Sequence, residues 1–114
     1  MDKIIKLSEA MRLGATYGPQ CFGYYFYGKK SCALGSVLQA INRRDMKLGR
    51  YQFLRKRFPE LRKYIDLNQL PSNIALKSPD TGNIMVLSSL IVHLNDIEGW
   101  TREQIADLLE DMGY

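Results

Sequence analysis

Cys32, His93 and Asn95 or Asp96 are the residues of this 114-residue chain whose types and order could do covalent chemistry. A cysteine opening a helix, then a histidine, then an amide or carboxylate is the order found in papain-like cysteine proteases. At a helix start, free N–H groups and the helix dipole stabilise a thiolate. The setting of His93 argues against that chemistry. It falls in an apolar stretch that reads as a buried helix, and residues two apart on a helix, such as His93 and Asn95, do not face one another. A buried structural thiol and a histidine at the edge of the core account for the same residues. The expected catalytic set is therefore empty, and a cysteine-dependent hydrolase would have to use Cys32, His93 and Asp96. Cys21, Cys32 and the single histidine are too few for a structural zinc site, which takes four ligands, and a site completed by Asp96 would be unusual. No metal and no cofactor is expected.

The second chemistry is recognition. Tyr17, Phe22, Tyr24, Tyr25, Phe26 and Tyr27 place six of the chain's aromatic residues within a short run, followed by Lys29 and Lys30. On a strand, Phe22, Tyr24 and Phe26 share one face, and Tyr25 and Tyr27 share the other. A small domain has one core, so one face is expected to pack inward and the other to meet a partner, the alternative being a five-helix domain that buries both faces. A one-residue slip exchanges the two faces. The partner-binding residues expected from this run are Tyr24, Tyr25, Tyr27 and Lys29.

Charge gives a third possibility. The net charge is +4, but Arg43 to Lys63 holds nine bases against two acids, whereas Asp80 to Tyr114 holds seven acids against one base. A basic segment over 43–63 is the footprint of a nucleic-acid binder, with Arg50, Arg55, Lys56 and Arg57 as contacts. Pairing with the acidic C-terminal helix, or plain solvation, also explains it and is preferred.

The composition is that of a globular domain. Hydrophobic residues are 46% and charged residues 25%, which argues against disorder, and a chain of this length can bury a core without staples. The first residues carry no signal-peptide pattern. The longest nearly apolar stretch, Ile84 to Leu94, is far shorter than the ~20 residues a membrane helix needs. The two cysteines then read as thiols of a cytoplasmic protein.

The periodicity predicts a mainly α fold: about five helices with a minor strand or hairpin, in one domain over 1–114. Leu7, Ala10, Met11 and Gly14 form the stripe of a first helix, capped by Ser8 and ended by Gly14. The aromatic run is the strand or hairpin arm. Ser31 is expected to cap a second helix with Leu34, Val37, Leu38 and Ile41 inward, and Gly35 marks a close approach. A basic helix from about Leu48 to Phe58 buries Tyr51, Leu54 and Phe58. Pro59 breaks it and opens a short helix with Leu61, Tyr64 and Ile65. A long connector, 66–82, leads to a buried helix from Asn83 to Ile97. The last helix begins at Thr101 with a capping box to Gln104 and a hydrophobic staple from Trp100 to Ile105. Its core stripe is Ile105, Leu108, Leu109 and Met112, and Gly113 stops it. Thr101 to Leu109 also looks like the first helix of a helix-turn-helix, but no recognition helix follows, so a capped amphipathic helix is the preferred reading.

Ser31-Cys32-Ala33-Leu34-Gly35, Leu94-Asn95-Asp96 and Trp100-Thr101-Arg102-Glu103-Gln104-Ile105-Ala106 resemble a group of small uncharacterised bacterial and phage-associated proteins. Leu7-Ser8-Glu9-Ala10 with Arg12-Leu13-Gly14, and Pro19-Gln20, are similar too. The resemblance covers both ends and leaves the basic middle out. It implies a single intracellular domain of phage or mobile-element origin, and it supplies no activity, cofactor or site residue. The function expected is a non-enzymatic regulatory or interaction module. Its partner is another protein, a second copy included, with nucleic acid the alternative and no membrane.

Overall fold

Leu7, Ala10 and Met11 are fully buried, as the helical stripe requires, and they seat the first helix on the core. The computed structural model describes residues 5–41, 50–71 and 83–114, Arg50 by its backbone only. Its helices are α1 (Leu7–Ala15), α2 (Ala33–Ala40), α3 (Arg50–Arg57), α4 (Leu87–Asp96) and α5 (Arg102–Asp111). Two antiparallel strand pairs complete it: β1 (Phe26–Tyr27) with β2 (Lys30–Ser31), and β3 (Tyr64–Asp66) with β4 (Ile84–Val86). The fold is mainly α with minor strands, as the periodicity predicts. A single cluster of buried side chains from α1, α2, α3, α4 and α5 forms the core. None of the described helices is long and apolar enough to cross a membrane.

Helix α1 packs against both α2 and α5. Gly14 does not end α1, which runs to Ala15. A Cβ there would collide with the carbonyl oxygen of Ser36, so this glycine exists for the close approach of α1 to α2. Ser8 is not the cap either. It is buried inside the first turn, and its backbone N–H donates to the carbonyl of Tyr114 at 3.1 Å. A tertiary contact thus satisfies an N–H that a local side chain was expected to satisfy.

The segment before α4 also departs from expectation. Ile84–Val86 is a strand, and the helix starts only at Leu87. Tyr64 and Ile65, expected on a helix, lie on β3, where Ile65 stands opposite Met85. Pro59–Arg62 is a single 3-10 turn, which buries Leu61 and ends before Tyr64. β-branched and apolar residues in short runs serve either geometry, and here each run finds its pairing partner in the other. Leu54 and Phe58 of the basic helix are buried as expected, and Tyr51 is half-buried. Residues 43–49 of the basic segment and most of the connector 66–82 lie outside the described residues.

Helix α5 matches its sequence in detail. The Thr101 hydroxyl accepts the Gln104 N–H at 3.1 Å, and the Gln104 side chain accepts the Thr101 N–H at 2.9 Å. Ile105, Leu108 and Leu109 are buried, and Met112 and Trp100 pack against the core from its edge.

Candidate functional site

The aromatic run is built on a small polar network. Helix α2 opens at Cys32, whose sulfur, rather than Ser31, caps it by accepting the Gly35 N–H at 3.3 Å. One position on, the Ala33 N–H donates to the side-chain oxygen of Asn95 at 3.0 Å, so α4 supplies a second cap to α2. The same Asn95 oxygen accepts from Gln20 at 2.7 Å. Its amide group donates to the carbonyl of Cys21 and to Asp96. Both polar ends of this buried side chain are thus satisfied, as burial demands. Asp96 in turn accepts the Gly23 N–H at 2.9 Å.

Arg102 closes the network from the other side. It is buried and, among the described residues, forms no ion pair with a carboxylate. It donates to the Ser31 hydroxyl at 2.9 Å, to the Gly18 carbonyl at 2.6 Å and to the carbonyls of Ser31 and Ala15. Burial lowers its pKa from the ordinary arginine value. A sequence signal for this role existed. A cation at the first residue of a helix opposes the dipole, so Arg102 in a well-capped N-terminus calls for another reason to be there.

Above this network sits the hairpin. Gly23 takes a left-handed φ of +83°, which bends the chain before β1. A Cβ on Gly35 would collide with the Tyr25 carbonyl oxygen, so the hairpin backbone lies directly on the first turn of α2. The Cys32 N–H also donates to that carbonyl, at 3.2 Å. The aromatic faces do not alternate as expected. Phe22, Tyr24 and Tyr27 are 51%, 63% and 65% exposed, whereas Tyr25 and Phe26 pack partly against the core. The physical reason is that only Phe26 and Tyr27 are strand, and the bend at Gly23 breaks the period-2 pattern upstream. The Tyr24 and Tyr27 rings lie together, 5.8 Å between centroids and tilted by 35°, with Lys29 exposed at the hairpin tip. Of the four residues expected to bind a partner, Tyr24, Tyr27 and Lys29 are exposed and Tyr25 is half-buried.

Below the rings opens a cleft of about 370 Å³, walled by Tyr24, Phe26, Leu34, Ile91 and Val92, with Asn95 and Asp96 as its polar side. Cys32 also lines it, and burial pushes its thiol up to about 11, so it is neutral at physiological pH. His93 is not brought to Cys32. Its imidazole pairs with Glu98 at 3.0 Å, both side chains buried, and it lines a different cleft beside Tyr51. No Cys–His pair forms, and Asp96 serves the loop at Gly23 rather than an imidazole.

In the basic helix, the Arg55 guanidinium lies over the Tyr51 ring and that of Arg57 over Phe58, each 5.0 Å from the centroid. Lys56 is exposed, and the side chain of Arg50 lies outside the described residues.

Among the described residues no group of three or more histidine, cysteine or acidic side chains is placed to hold a metal ion. Comparison with protein-family models, curated proteins and solved structures finds no match to this chain.

Proposed function

We propose that this protein is a non-enzymatic protein-interaction module of the cytoplasm that docks a partner protein on the aromatic face of the β1–β2 hairpin. The observation that carries this reading is the exposure of Phe22, Tyr24 and Tyr27 on a backbone pinned to α2 and α4. Rings that are already ordered cost little entropy to bury, and tyrosine keeps a polar tip satisfied at a wet boundary. Aromatic anchors of this kind dominate binding energy at protein interfaces. The neutral Cys32 thiol and its separation from His93 favour this reading over hydrolysis. Charge on α3 is by itself only an electrostatic footprint, which favours this reading over nucleic-acid binding.

The test is the double variant Tyr24→Ala, Tyr27→Ala. Both rings are mostly exposed, so its unfolding free energy should stay within about 0.5 kcal/mol of wild type. Copurification from the native host, with light scattering for self-association, should show the partner or the second copy lost. A large destabilisation with association unchanged would assign these rings to the fold and remove the reading.

A further inference from the structure

The cleft beneath the exposed rings has a selective chemistry of its own. Val92 and Phe26 give it accessible apolar walls over the buried Leu34 and Ile91, and Tyr24 stands at its edge. Nearly all of its polar groups are already engaged within the fold. Asn95 uses both ends of its amide on Gln20, Ala33, Cys21 and Asp96, and Cys32 accepts from Gly35. Asp96 differs. It is exposed, one carboxylate oxygen is held by Gly23 and Asn95, and it forms no ion pair among the described residues. The cleft therefore presents an apolar trough ending in one oriented negative charge.

Taking the protein-interaction reading as its ground, we propose that this cleft receives a lysine or arginine side chain of the partner protein. The aliphatic stem lies against Val92 and Phe26, and the cation meets the Asp96 carboxylate beside the Tyr24 ring. Such side chains bury their stems while the charged head stays at a polar rim. The head gains a charge-assisted hydrogen bond and the attraction of the ring face. An acidic side chain meets like charge here, and an uncharged one covers the carboxylate without pairing it.

The experiment titrates the full ¹⁵N-labelled chain at low salt with three blocked Ala-X-Ala peptides, X being lysine, norleucine, which has the same four-carbon stem without the ammonium, or glutamate. The lysine peptide should move the amide signals of Gly23 and Val92 saturably at about millimolar concentration. The norleucine peptide should bind at least about tenfold more weakly, and the glutamate peptide not at all. Asp96→Asn keeps an oxygen for the Gly23 N–H and removes the charge, so it should weaken the lysine peptide by the same factor. Val92→Lys places a cation one helical turn before Asp96 and should block the peptide while Asp96 is intact. Equal binding of lysine and norleucine peptides, unchanged binding to Asp96→Asn, or no saturable shift at those amides would overturn the assignment. The Tyr24, Tyr27 variant separates the two levels. If that variant loses the partner while the peptides show no charge selectivity, the interaction surface stands without a cation site. If it keeps the partner, the ground itself is gone.

Discussion

Cys32 carries a consequence that can be measured by pH. Burial raises its folded pKa to about 11 from an ordinary value of 9.0. Between those values the unfolded thiol ionises first, so the unfolded state binds fewer protons than the folded one. Stability from this group is whole below about pH 9 and falls as pH rises towards 11. Denaturation midpoints over that window should decline less steeply in Cys32→Ala than in wild type, and parallel curves would sink the assignment. A thiol reagent should label native Cys32 slowly and the unfolded chain quickly. Rapid native labelling near neutral pH would revive the hydrolase chemistry. Arg102 makes the complementary point at the same scale. The sequence shows it as one base in an acidic stretch. Its buried position among the Ser31 hydroxyl and three backbone carbonyls shows it to be a tie between α5, β2 and the end of α1.

Among the elements, α5 is the one whose form follows from its own residues. Its cap, its N3 partner and its apolar stripe all lie within a dozen positions, and all three agree. Thr101→Ala removes the acceptor for the Gln104 N–H and should cost about 1 kcal/mol. Thermal or urea unfolding reads this directly, and a midpoint unchanged within error would mean that water replaces the cap fully. The β3–β4 pair is the opposite case. Nothing in Ile84-Met85-Val86 distinguishes a strand from the first turn of α4, because helix and strand share the same apolar residues over so short a run. The pairing of Ile65 with Met85 decides it, with the Leu87 N–H bonded to the Lys63 carbonyl at the junction. Gly14 belongs with this case, since its reason is the Ser36 carbonyl on another helix.

At the scale of the molecule, charge and aromatic surface divide the roles. Two of the arginines expected to contact phosphate lie over rings and keep their charge there, so the described part of α3 offers an electrostatic footprint and charge alone. Binding to DNA or RNA should be weak at physiological salt and should fall steeply as salt rises, because each phosphate contact releases a counterion. Fluorescence anisotropy with a labelled duplex and a labelled single strand measures it. Tight, sequence-selective binding that survives physiological salt would reverse the ranking of the two functions. The hairpin is placed differently. Four stretches far apart in the chain, 19–20, 31–35, 94–96 and 100–106, converge in one network beneath it through Gln20, Ser31, Cys32, Asn95 and Arg102. Residues scattered across the chain thus combine to hold a single loop in place.

The sequence alone determined the fold class, the stripes of α1 and α2, and the capped start of α5. Each rests on interactions within one or two helical turns, where spacing along the chain is spacing in space. It also marked the aromatic run and Asp96 as residues worth weighing. Tertiary structure decided which rings are exposed, because Gly23 breaks the alternation that a strand would impose. It made Asn95 a hub of the fold, with bonds that reach residues 62 to 75 positions away. It kept Cys32 from His93 by setting them in separate clefts. Long-range contacts of this kind leave no periodicity in the chain, so no local pattern could have reported them.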